Sequence, residues 1–478
     1  MLYLVAIFAY LLALTAIGVW KSRSVKNQTD FAVAGRTLSP WILVCTMLAA
    51  WIGTGSIVGN AGKTYEVGIA ALFIPMGSVI GMMLLTQIAG KARNFEVYSV
   101  PEIIGRRYGL ATRRIAVLAL VIAYMVIVSY QFNALGAVLE AILTDETGKS
   151  LLTSQQATII AAVFIILYTI LAGMMSVAFS DILTGIIITI TLIVGLPILW
   201  FQAGGLPGLE QKFAAIGKPD HMNLLGVFRP VDLINFCLPV FLLIMGDANQ
   251  YQRFFSSKDA KGAKTAATFM IFAVFLIEGL IIVEAWISSS MIPDAEKGKF
   301  VLIYAARQLL PTVLGLFFMI TIVGIIISTA DSFLLIPATC LIRDIYVASI
   351  NPKASEKRVL LFSRLTVLVL GIVAYGVALA FSESTTIFEK AMYAYTIYGA
   401  AITPCLVAAL FWKRATTAGA ITSIFAGTAT TLVWEELVKV HLREPFKSLD
   451  AVLPAITLSL VCLVGVSLLT RPSIRERA

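Results

Sequence analysis

Asp181, Asp247, Glu278 and Asp331 stand inside long apolar runs, where an ionised side chain is costly unless it is paired, hydrated or bound to a cation. In "GIIISTADSFLL" the residues Ser328, Asp331 and Ser332 fall within one helical turn, so one face offers two hydroxyls and a carboxylate. Oxygen ligands of this kind suit a hard alkali cation. The alternative for Ser328 and Thr329 is a hydroxyl bonding back to the carbonyl one turn earlier. Asp181 can equally be a structural carboxylate, and an interhelical partner is the expected role of Glu278.

Two segments interrupt the apolar runs that carry them. "AAWIGTGSIVGN", from Ala49 to Asn60, packs Gly53, Gly55 and Gly59 together with Thr54, Ser56 and Asn60, and it holds Trp51 in mid-span. "LLIMGDANQYQRF" places Gly246, Asp247, Asn249 and Gln250 in a run that began near Phe236. The two interruptions occupy matching positions in successive five-span blocks, the mark of a transporter built from inverted repeats with a midplane site at its broken helices. The simpler explanation, close helix packing through the Gly55/Gly59 pair, requires neither Asp247 nor Asn60. "GTGSIVG" fails the dinucleotide-binding spacing at Val58, and "GKT" at Gly62 to Thr64 has Ile57 where a P-loop needs its first glycine.

The elements that position these residues are membrane spans. Hydrophobic residues make up 59% of the chain and charged residues 13%, which leaves too little polar surface for a water-soluble fold. Apolar runs lie at roughly 2–20, 39–62, 67–90, 112–141, 153–172, 176–203 and 231–251, then at roughly 266–290, 310–342, 360–382, 388–412, 417–437 and 451–470. The expected fold is therefore an all-α integral membrane protein of about thirteen transmembrane helices. The first run lacks a basic segment before it, and Lys21, Arg23 and Lys26 follow it, so it is read as a retained helix rather than a signal peptide.

With the N-terminus outside and the C-terminus cytoplasmic, roughly 24 of the 36 Lys and Arg fall on the cytoplasmic side. That topology, in a cell inner membrane, accounts for the net charge of +9 by contact with lipid head groups, with no nucleic-acid partner. Of the seven tryptophans only Trp51 is far from a span end. The five cysteines lie in apolar runs, and His221 and His441, the only histidines, lie in loops. Disulfide, zinc and Ser-His-Asp chemistry thereby lose their residues, and the chain is not expected to be an enzyme or to hold a cofactor.

The ordered motifs "FAVAGRTLSPW" from Phe31, "YSVPEIIGRRYG" from Tyr98, "LYTILAGMMSVAFSD" ending at Asp181, "YQRFFSSKDAKGAK" from Tyr251, and "ISTADSFLL" followed by "RDIY" at Arg343 resemble the sodium/solute symporter family. The resemblance covers most of the chain. It implies the leucine-transporter fold: an N-terminal extra helix and loop (1–38), one inverted repeat of five helices (39–203), an extracellular loop (204–230), a second five-helix repeat (231–412), and two C-terminal helices with a short tail (413–478). It also implies Na+ as coupling ion, held by carbonyls of Ala49, Ile52 and Ile325 and hydroxyls of Ser328 and Thr329. Some members add a second sodium site, which maps onto Asp181, Ser328 and Ser332. Asp331 replaces a hydroxyl there, so the expectation is a second cation or a proton shared at Asp181, Asp331 and Ser332.

The expected activity is sodium-coupled symport of a small organic solute by alternating access. Candidate solute contacts are Trp51, Thr54, Ser56, Asn60, Tyr130, Gln131, Asp247 and Asn249; for Tyr130 and Gln131 a role in bridging helices is the alternative. The first interruption looks most like the choline-transporting branch, in which a tryptophan at the position of Trp51 helps cage a quaternary ammonium. Asp247 then points to an amine or other organic cation, unless it pairs with Arg253 or satisfies unwound backbone. The alternative is proton-coupled or mixed-cation symport of a neutral or amino-acid-like solute. A channel would keep a polar stripe along a pore, and a sensor would carry an output domain beyond its last span.

Overall fold

The protein is described by a computed structural model over residues 2–22, 25–143, 150–294, 298, 300–380, 386–444 and 446–471. Among these residues it is helical throughout, with no strand and one isolated bridge between Leu38 and Ser257. In chain order the helices are α1 (Leu2–Ser22), α2 (Gln28–Val33), α3 (Pro40–Trp51), α4 (Ala61–Val67), α5 (Met76–Asn94), α6 (Val100–Tyr108), α7 (Leu110–Leu143), α8 (Ser154–Ala203) and α9 (Gly205–Ala215). They continue as α10 (Pro230–Gly246), α11 (Ala248–Ser256), α12 (Ala260–Ser289), α13 (Val301–Gln308), α14 (Thr312–Cys340), α15 (Glu356–Ala380), α16 (Ile387–Phe411), α17 (Thr417–Val433) and α18 (Val452–Leu469).

Ten described helical segments are long and apolar enough to cross a bilayer, and eleven if the bent pair Pro40–Trp51 and Gly55–Phe73 is one span. The thirteen runs expected from sequence include two more. These are α5, whose last turn carries Lys91 and Arg93, and α17, which has 17 residues. The predicted runs 153–172 and 176–203 form two spans, Ser154–Leu171 and Ser176–Ala203, the two halves of α8, which opens on a capping box of Thr153 and Gln156 and is broken by non-helical backbone at Gly173 (φ 70°). Only glycine adopts that conformation without a Cβ penalty. The short helices α2, α6, α9 and α13 lie between runs, where hydropathy carries no signal for them.

Burial separates an inner set of helices from an outer one. In α7, 78% of the most apolar window is buried, against 22% in α1. Outward-facing Phe8, Phe272, Ile372 and Val461 would be an aggregation liability in water and suit contact with lipid chains. Between spans, two of the sequence motifs meet. Asp344, on the wide helical turn Leu341–Ile350, is fully buried and accepts hydrogen bonds from Ser99 Oγ (2.6 Å) and Arg113 Nε (2.8 Å). The Arg343 guanidinium lies 4.1 Å over the ring of Tyr98. This contact ties the start of α6 to the end of α14.

Candidate cation and solute site

Helix α3 ends because Ile52 turns extended (φ −72°, ψ 90°) after its N–H closes the last turn on the Leu48 carbonyl at 2.8 Å. Helicity resumes as a wide π turn over Gly55–Asn60, bent 51° from α3. Helix α14 packs across the gap. Ser328 Oγ lies 3.4 Å from the Ala49 carbonyl and donates to the Asp181 carboxylate. Thr329 presses on Gly53 so closely that a Cβ there would meet Thr329 Cγ2 at 2.9 Å. Its buried hydroxyl has no partner, and the Ile52 carbonyl receives no bond from any described side chain. Neither hydroxyl bonds back along α14, and Ile325 lies buried one turn before them. Ser328 and Thr329 of α14 therefore meet the α3 break at Ala49 and Gly53, next to Ile52, and the Thr329 hydroxyl is left unpartnered there.

Beneath this group lies a buried charge cluster. Asp181, Arg253 and Asp331 are each 0% exposed. Asp181 accepts from Thr46 Oγ1 and pairs with Arg253 Nη2 at 3.4 Å. Arg253 also donates to the Thr46 carbonyl (3.1 Å), Ser332 Oγ (2.9 Å) and the Asn249 carbonyl (3.2 Å). Asp331 Oδ1 is 3.4 Å from Ser332 Oγ, while Oδ2 has no partner. A tethered guanidinium thus occupies the neighbourhood of Asp181, Asp331 and Ser332. Sequence reasoning considered Arg253 only as a partner for Asp247. The missed signal was the i, i+4 spacing of Asn249 and Arg253, which puts both on one face of α11.

The second break is closed by side chains. Asp247 caps α11, accepting from the Asn249 N–H (3.1 Å) and from Tyr124 Oη (2.6 Å). Tyr398 spans the gap, accepting from the Ala248 N–H (3.1 Å) and donating to the Gly246 carbonyl (2.7 Å). Thr403 and Tyr251 bond the freed carbonyls of Leu242 (2.6 Å) and Met245 (3.2 Å). Asp247 therefore satisfies unwound backbone, and its nearest donors are a tyrosine and the chain itself.

On the far side of the first break, Ser56 Oγ (2.5 Å) and Asn60 Nδ2 (3.1 Å) both donate to Glu278 of α12. Thr54 donates to Gln131 Oε1, leaving Gln131 Nε2 unpartnered, as is Asn249 Nδ2. Tyr130 hydrogen-bonds Tyr395, whose hydroxyl would lie 2.6 Å from a Cβ at Gly55. Trp51 is half-buried, with no second described ring against it. Thr54, Ser56, Asn60, Tyr130 and Gln131 thus gather around the outgoing half of the break. Glu278, Tyr124, Tyr395 and Tyr398 were not foreseen as members of the site.

The same architecture occurs in solved transporters. A sodium-coupled sialic acid symporter in a substrate-bound, outward-open state matches 99% of this chain and 99% of its own at 15% identity and a TM-score of 0.82. MhsT in complex with L-phenylalanine matches 90% of this chain and 98% of its own at 12% identity and 0.58. In sequence, the osmoregulated proline transporter OpuE of Bacillus subtilis is 24% identical over 486 residues, covering 98% of this chain and 95% of the relative. A sodium/proline symporter of Staphylococcus aureus is 25% identical over 498 residues, covering 98% and 92%. The sodium:solute symporter family model matches residues 31–427, and with that match over a bent, oxygen-lined pair of broken helices the chain belongs to the sodium:solute symporter family.

Proposed function

We propose that this protein carries a small amine-bearing solute, most simply an amino-acid-like zwitterion, together with Na+ across a cell inner membrane. The observation that carries the substrate reading is Glu278. It is a buried carboxylate bonded to Ser56 and Asn60 at the first break, where Gln131, bonded to Thr54, keeps an unpartnered amide N–H, and Asn249 of α11 keeps another at the second break. A carboxylate favours an ammonium, and unpartnered amide N–H groups favour a carboxylate or carbonyl. The proline transport named for two relatives agrees with that pairing. An isolated Trp51 lends little support to a quaternary-ammonium cage.

In this reading Na+ binds the carbonyls of Ala49, Ile52 and Ile325 and the hydroxyls of Ser328 and Thr329. Asp181 accepts the Ser328 hydroxyl hydrogen bond and so turns that oxygen's lone pairs toward the ion. Na+ and solute together favour closure, and coupling resides in their differential affinity for the two states. In the same reading α5 and α17 cross as well, giving thirteen spans around five-helix repeats at 39–203 and 231–412; an odd count sets the termini on opposite faces, and the excess of Lys and Arg in alternate loops supports an N-terminus outside and a C-terminus in the cytoplasm. Asp331, with one carboxylate oxygen free, is assigned a second cation or a proton together with Asp181 and Ser332. An unchanged ion-to-solute ratio and pH profile in Asp331→Ser removes it from the mechanism.

Solute-dependent 22Na+ uptake into proteoliposomes, screened over amines, amino acids and polyols, tests the assignment. Amines or amino acids should drive uptake in the wild type and fail in Glu278→Gln. Full activity of that variant overturns the role of Glu278. A polyol as the sole driving solute overturns the substrate class.

A further inference from the structure

Glu284 is a second acid on α12, six residues beyond Glu278 toward the Ser289 end. It is fully buried, and neither carboxyl oxygen has a hydrogen-bond partner. Gly195 of α8 faces it so closely that a Cβ there would stand 3.0 Å from Oε1, so the absent side chain makes the space the carboxyl fills. One turn along the same face, Ser288 holds a hydroxyl that is equally unpartnered. The elements packed on α12 are α3, α4, α5, α8, α11, α13 and the turns Gly55–Asn60 and Gly68–Phe73. Among the described residues none of them brings a charged or titratable group to Glu284, and Glu278 on its own helix is engaged with Ser56 and Asn60.

An ionised carboxylate without donor or countercharge is disfavoured in such surroundings. The two carboxyl oxygens and the Ser288 hydroxyl are too few to replace the water of a hard cation. A proton needs no coordination shell. We propose that Glu284 is a proton-binding site, occupied while α8 and α12 close over it and emptied to water when the two helices part. By linkage, acid then stabilises the closed arrangement and alkali the parted one. This inference does not depend on the identity of the solute or on the sodium assignment.

The test uses the full chain in lipid nanodiscs and follows hydrogen–deuterium exchange around Gly195 and Glu284 from acid to alkaline pH. With the intrinsic base-catalysed rise in amide exchange divided out, wild-type protection should fall several-fold from acid to alkaline pH, and Glu284→Gln and Glu284→Leu should each make that protection pH-independent. The infrared carbonyl band of a protonated carboxyl should be lost in Glu284→Gln. A wild type without pH dependence overturns the proposal, as does a pH dependence kept in either variant. Protection that follows Na+ instead of pH assigns the site to a cation and equally overturns it.

Discussion

The two helix breaks solve the same problem in opposite ways. Where α10 gives way to α11, side chains take up backbone on both sides of the gap: Tyr398 bonds both sides, Asp247 caps the new helix, and Thr403 and Tyr251 take the Leu242 and Met245 carbonyls before it. Where α3 ends, the Thr329 hydroxyl stays unpartnered, the Ile52 carbonyl is bare of side chains, and Ser328 stands 3.4 Å from the Ala49 carbonyl. Buried polar groups are seldom left unsatisfied without a reason. On the proposed reading the first break keeps its backbone oxygens for an ion, while the second is bridged by Tyr398.

The contrast can be broken first at Arg253, which ties α11 to α3, α8 and α14. Arg253→Met strands the Asp181 carboxylate and should cost about 3–5 kcal/mol, as expected for a buried pair that loses one partner. Thermal unfolding in detergent measures this, and adding Asp181→Asn should restore a large part of the loss. Next, Ser328→Ala with Thr329→Ala should raise the sodium concentration for half-maximal uptake about a hundredfold or more, at roughly 1.5–3 kcal/mol per lost contact to the ion. Equal sodium dependence in the double variant and the wild type would equate the two breaks.

Tyr398→Phe sharpens the comparison from the other side. It frees the Gly246 carbonyl and the Ala248 N–H, so unfolding should show a loss of about 1–3 kcal/mol, with sodium affinity nearly unchanged. The smallest effect is expected from Asp247→Asn. Asparagine caps helices as well as aspartate, so stability should shift by only about 0.5 kcal/mol. Cationic-solute uptake lost in that variant at unaltered stability would return Asp247 to direct charge recognition.

Both breaks and the Ser328/Thr329 face were legible because polar residues inside apolar runs stand out locally. Their partners were not, because each comes from a distant span: Asp181 meets Arg253 across 72 positions and Glu278 meets Ser56 across 222. Tyr124, Tyr395 and Tyr398 carry no signal in the sequence, since a tyrosine in an apolar run does not reveal where its hydroxyl points. Glu284 was legible and overlooked. An acid in the predicted run 266–290 meets the same criterion that singled out Glu278. The division of α8 into two spans at Gly173 was legible as a dip in hydropathy between the two runs.

The 51° bend between Pro40–Trp51 and Gly55–Phe73 also divides one macrodipole into two. The end of the first half carries about −0.5 of an elementary charge and the start of the second about +0.5, a few residues apart. On the proposed reading, a cation and a solute carboxylate seated at these opposite lips would each neutralise one terminus and attract each other, so the second to arrive would bind more tightly than the first. By setting the two ligands side by side the bent backbone lets their mutual attraction supply part of the cooperativity that co-transport requires, before any side chain moves.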